Sequence, residues 1–151
     1  RGDGAALEAP EARALSLLGD HVYGTDDDDL ASLALAALGR AGATTVATLE
    51  SGTQGMLMAI LSAAEPVEPG ARARFVGGTL DAGQPASTSI ADAVLQSSLI
   101  PPDAHGRSRV RVSVTGAVNL PMIEVRVHGS GPQRVRRAAF AALDQVRRAL
   151  R

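Results

Sequence analysis

Thr45-Val46-Ala47-Thr48-Leu49-Glu50-Ser51-Gly52-Thr53-Gln54-Gly55-Met56-Leu57 is the stretch on which the reading of this chain turns. Residues 44–49 are β-prone, residues 50–55 are small and polar, and Met56 to Leu61 form an apolar run that Glu65-Pro66 ends. That order predicts a strand, a polar turn and a buried helix. A turn of this kind sets Ser51, Gly52 and Thr53 at a helix N-terminus, where free N–H groups and the macrodipole favour an oxyanion or a phosphate. Two readings of Ser51 fit: a nucleophile, or a cap shared with Thr53 while Gly52 serves the turn. A serine nucleophile also needs a base, and the stretch names none.

Upstream, residues 1–24 are a Gly/Ala/Glu/Pro-rich leader whose apolar pattern (Leu15, Leu17, Leu18, Val22) is too short to assign; it reads as a tether, with 25–151 as the domain. Thr25 followed by Asp26, Asp27, Asp28 and Asp29 predicts a helix start, with Thr25 as N-cap, Asp28 at the capping-box position and the acids facing the positive end of the dipole. No metal site is expected there, because consecutive helical residues diverge around the axis whereas hard-cation loops need converging oxygens. Leu30, Leu33, Ala34, Ala37, Leu38 and Ala41 recur at helical spacing, and Gly42 predicts the stop.

Downstream, residues 75–80 look extended, 81–88 form a Gly/Pro/Ser-rich loop, and a helix is expected over 90–99, halted by Pro101-Pro102. Val110, Val112 and Val114 alternate with Arg109, Arg111 and Ser113, and Ile123, Val125 and Val127 with Glu124 and Arg126, which predicts two strands joined as a hairpin. Pro132 sits where a closing helix can begin, its apolar face marked by Val135, Ala139, Ala142, Leu143, Val146 and Leu150. The alternation predicts an α/β fold, a three-layer α/β/α domain with a mixed sheet.

Composition narrows the function. The formal net charge of -1 disfavours nucleic acid and anionic membranes as main partners. Phe75, Phe140 and Tyr23 are the whole aromatic set, so the core must be Ala, Leu and Val, and base-stacking platforms are scarce. There is no Cys, which excludes thiolate metal sites and a Cys nucleophile. No apolar run approaches the roughly 18 to 20 residues needed to cross a bilayer, and the first residues carry no signal-peptide core, so a cytoplasmic location is expected. The chain opens on Arg1 rather than Met, which leaves an upstream domain open. All 15 basic residues are Arg; no side-chain amine exists for chemistry.

The central stretch resembles the strand and signature loop of the CinA (competence/damage-inducible protein) family, C-terminal domain, usually T-L-A-x-A-E-S-C-T-G-G-L. Leu18 to Gly24 resembles the family's lead-in, Phe75-Val76-Gly77-Gly78 its extended segment, and Val112-Ser113-Val114-Thr115-Gly116 its later strand. The resemblance runs from about Leu15 to the C-terminus and implies deamidation of nicotinamide mononucleotide, without metal or cofactor, by a homodimer. Ser51 matches the nucleophile and Thr53 the Thr two residues on. Glu50, Gly52, Gln54 and Gly55 from the loop, with Thr115 and Gly116 from the later strand, are then implied as contacts to a nucleotide or phosphate ligand.

Several positions depart from the pattern. Gly52 and Gln54 replace the motif's Cys and first Gly. The family's Tyr-Ser-Asn-x-x-Lys stretch has no counterpart in 79–87, and its Gly/Pro-rich substrate loop after Thr115-Gly116 is replaced by Ala117-Val118-Asn119-Leu120. The reading is a degenerate amidase domain kept for ligand binding or dimerisation. An active amidohydrolase using Ser51 is one alternative; a phosphate or nucleic-acid contact module is the other. The latter would use Arg107, Arg109 and Arg111, or Arg134, Arg136, Arg137, Arg147 and Arg148 on the last helix, although such alternation is the ordinary pattern of a solvated face and Glu124 can neutralise part of it. His21, His105 and His128 lack ligand spacing.

Overall fold

In the computed structural model the described residues are 13, 29–64, 72–80 and 91–151. They form α1 (Leu30–Arg40), β1 (Thr45–Ser51), α2 (Met56–Ser62), β2 (Arg74–Leu80), β3 (Ala93–Ile100), β4 (Ser108–Gly116), β5 (Leu120–Val127) and α3 (Gly131–Ala149). The five strands make one mixed sheet in the order β2-β1-β3-β4-β5. β1 pairs in parallel with β2 and β3, while β4 is antiparallel to both its neighbours. The expected α/β fold with a mixed sheet is therefore what forms. All three described helices touch one another and share one face of the sheet; the second helical layer of the three-layer expectation has no member among the described residues.

Small residues explain how a core nearly free of aromatics closes. Ala31, Ala34, Ala37 and Leu38 of α1 and Ala138, Ala139, Ala142 and Leu143 of α3 are all buried where the two helices meet, so the helices approach closely, and α3 rests on β4, whose Val110, Val112 and Val114 are buried in the same core. Asp29 caps α1 by accepting from Ser32 N at 2.9 Å. The expected cap, Thr25, and the capping-box Asp28 lie outside the described residues. Along α3, Arg147 is only 5% exposed and its guanidinium grips Asp144, so this Arg is a packing element and not part of a solvated face. No described helix is long and apolar enough to cross a membrane.

The helix expected over 90–99 is a strand. Ala93, Val94, Leu95, Ser97 and Leu99 are all buried because β3 is the central strand. From Leu95 on its burial alternates, with Gln96, Ser98 and Ile100 half-buried, but its residue types do not follow: Ser97 is buried while Val94 and Ile100 are apolar on the other face, so over this short span the pattern cannot be told from a helix.

Asp92 fastens the start of this strand to β1. Its carboxylate accepts from Thr45 N at 2.9 Å and Thr44 N at 3.0 Å, and also from the Thr44 hydroxyl, while its own N–H donates to Thr45 Oγ1 at 3.0 Å. These donors, the Thr44 hydroxyl first, hold its carboxyl down at about 2 against an ordinary 3.8. A depressed carboxyl contributes stability above 3.8 that is lost as the pH falls toward 2. Asp92→Asn is accordingly expected to lower the melting temperature at neutral pH, with the gap from the unsubstituted protein closing as the pH is lowered through that window. A constant gap across the acid titration would contradict this.

Candidate functional site

Consecutive strand residues point to opposite faces, and this divides the signature loop. Glu50 points to the helix side and is 1% exposed. Its carboxylate accepts from Met58 N at 2.7 Å, from Thr53 Oγ1 at 2.7 Å and from Leu57 N at 3.1 Å. Met56 N and Ala59 N donate to the carbonyls of Thr53 and Gly55. Every N–H of the first turn of α2 therefore has an internal partner. The turn expected to cradle a phosphate holds the protein's own carboxylate, which supplies the negative charge the helix start favours. Thr53 is fully buried and donates to Glu50, so neither Glu50 nor Thr53 presents a free group to a ligand.

Ser51, one residue on, faces the other side of the sheet. The registers Ser51↔Ser98, Ser98↔Arg111 and Arg111↔Glu124 align these four residues in one row across β1, β3, β4 and β5. Ser51 opens into a groove of about 210 Å3 bordered by Leu49, Gln96, Ser98, Arg111, Ser113 and Met122. Glu124 bridges two guanidiniums, accepting from Arg109 at 2.6 Å and from Arg111 at 3.0 Å. Those hydrogen bonds, Arg109 first, hold its carboxyl below the usual value. A second depression, of about 250 Å3, adjoins through Arg111 and includes Arg107, whose Nε meets Asp103 at 2.9 Å. The neutralisation expected of Glu124 is what the pairing does.

The loop's two departures carry backbone consequences. Gly52 has φ +74, and a Cβ there would lie 2.7 Å from the Leu99 carbonyl oxygen, so the motif's Cys would not fit this turn without a shift. Gln54 has φ +55, the only non-glycine residue with positive φ among those described, where the motif's Gly would carry no Cβ penalty. Gly55 caps α2 from the left-handed region.

Thr115 and Gly116 do not join the other candidates. Thr115 pairs with Val94 and Gly116 with Ala93, at the start of β3, whereas Ser51 pairs with Ser98 near its end. Four residues of strand, about 13 Å, separate them. Gly116 is instead required where it is, because a Cβ would sit 2.2 Å from the Asp92 carbonyl oxygen. Reasoning from sequence missed Gln96 and Ser98, which the mistaken helix put on no defined face, and Met122. Arg111 and Glu124 were visible as a cross-strand pair, but their alignment with Ser51 needs the strand order. Among the described residues no cluster of metal-ligating side chains occurs.

No family model matches the chain. It is 35% identical over 125 residues to a CinA-like protein of Synechococcus sp. (strain CC9902), covering 83% of this chain and 25% of that protein. It is 43% identical over 76 residues to a CinA-like protein of Parasynechococcus marenigrum (strain WH8102), covering 50% of this chain and 17% of that one. The chain thus spans a quarter or less of the length of these relatives. Among solved structures, a competence-damaged protein (CinA) superfamily protein from Enterobacter cloacae shares the fold with a TM-score of 0.53 and 17% identity, over 86% of this chain and 97% of that one. The relatives carry the sequence likeness and the solved structure the fold, and the chain belongs to the CinA family.

Proposed function

We propose that this chain is a CinA-type domain whose nicotinamide-mononucleotide amidase site has degenerated, and that it is kept for binding a ligand or a second copy of itself. The observation that carries this reading is the lining of the Ser51 groove. A serine attacks a carboxamide only when a neighbouring base takes its proton. Leu49 and Met122 have no basic atom, Ser98, Ser113 and Gln96 are not bases at neutral pH, and the Arg111 guanidinium stays protonated. Glu124, the acid in the same row, lies three strand spacings from Ser51, about 14 Å, and its basicity is reduced by two guanidiniums. The chain has no Lys to replace it.

Loss of the base and of the electrostatic partners should cost several orders of magnitude in rate. Ammonia release from nicotinamide mononucleotide at neutral pH is expected to stay at background and to be unchanged by Ser51→Ala. Robust release abolished by that substitution would restore an active amidohydrolase.

A further inference from the structure

The open face of the sheet carries a second feature that the amidase reading does not use. Three guanidiniums, Arg107, Arg109 and Arg111, face two carboxylates, Asp103 and Glu124, across two depressions that share Arg111. Arg126, the cross-strand neighbour of Arg109 on the same face, adds a fourth guanidinium, so two positive charges are in excess. Glu124 holds Arg111 through Nε only and Arg109 through one terminal nitrogen. A guanidinium has five N–H donors in a planar fork, so each is oriented by Glu124 while donors remain for a further acceptor. Beside Arg111 the groove offers hydroxyls of Ser51, Ser98 and Ser113 and the amide of Gln96. Its apolar border includes Met122, 65% exposed and one of two large apolar side chains left in solvent among the described residues. A concave site with one oriented charge, a few polar groups and an adaptable apolar wall is the ordinary composition of a small-molecule pocket.

We propose that this groove binds a small organic carboxylate, its anionic end on Arg111, its body over Leu49 and Met122 beside the serine hydroxyls, with Glu124 competing for the same guanidinium. A planar carboxylate matches the fork of Arg111, and the apolar wall of Leu49 and Met122 favours an organic anion over inorganic phosphate. The inference rests on the groove being a binding site and not a reacting one, but its test needs no turnover.

The experiment is a titration of the full chain, followed by resonance shifts and calorimetry, with benzoate, the neutral benzamide and inorganic phosphate. Benzoate is expected to bind saturably and to move the resonances of Ser51, Ser98 and Arg111, with benzamide and phosphate each weaker. Arg111→Gln should weaken benzoate about tenfold, the loss of one charge-assisted contact. Glu124→Gln should tighten it several-fold, because the internal competitor is gone. Both side chains are exposed, and unchanged melting curves would certify the fold of the variants. The proposal is overturned if benzamide or phosphate binds as tightly as benzoate, if Arg111→Gln leaves the affinity unchanged, or if Glu124→Gln weakens it as Arg111→Gln does. Benzoate binding with no ammonia release supports both readings. No binding and no release removes this one alone, and release from nicotinamide mononucleotide removes the degenerate-site reading whatever benzoate does.

Discussion

Glu50→Ala is expected to lower the unfolding free energy by about 4 kcal/mol, since each buried donor left without an acceptor costs about 1–3 kcal/mol and three are orphaned at once. The donors are Thr53 Oγ1, Leu57 N and Met58 N. The truncation also leaves a void between β1 and the start of α2, and removes the charge that complements the dipole there. Set against a typical domain stability of about 5–15 kcal/mol, this is a loss that shows in any urea titration. Glu50→Gln separates packing from charge. It keeps the volume but turns an NH2 toward at least one N–H or hydroxyl, so an intermediate loss of about 1–3 kcal/mol is expected. If the Gln variant is as stable as the unsubstituted protein, the carboxylate is not the cap of α2, and a ligand role for Glu50 returns to consideration.

The fold was legible where sequence pattern and tertiary environment agree. β4 alternates buried Val with exposed Arg because one of its faces meets helices and the other meets solvent, and a two-residue period reports that directly. β1 and the apolar helix α2 could be read from the composition change around the polar turn. β3 could not, because its residue types do not follow its alternating burial: Ser97 is buried on the helix side while Val94 and Ile100 are apolar on the other face. The candidate site failed for a related reason. Motif reasoning treats Glu50, Ser51 and Thr53 as neighbours, but a strand sends Glu50 and Ser51 to opposite faces, and only the register then decides that Ser51 shares a row with Ser98, Arg111 and Glu124. Likewise Thr115-Gly116 end the strand that carries Arg111, yet the antiparallel direction of β4 carries those two residues to the far end of the sheet. Neither strand order nor direction is encoded in a local window.

Gly116→Ala puts that last point to a test, with an expected loss of about 3 kcal/mol or more from overpacking and a backbone conformation that only glycine holds comfortably. Gly116 has φ +111, and a Cβ would lie 2.2 Å from the Asp92 carbonyl oxygen and 3.2 Å from the Ala93 Cα. Relief by movement is blocked on both sides. The Asp92 oxygen accepts from Ala117 N at 2.7 Å, and the Asp92 side chain is tied to Thr44 and Thr45 at the start of β1. Moving β4 away instead would pull Val114, Val118 and Leu120 out of the core that they help to fill. The clash is therefore expected to appear as lower stability in the absence of any ligand, read from the urea midpoint at constant slope. A ligand-contact role makes the opposite forecast: an Ala variant of undiminished stability that has lost affinity. Finding that pattern would return Thr115 and Gly116 to a binding site and require β4 to sit in a different register from the one that pairs Gly116 with Ala93.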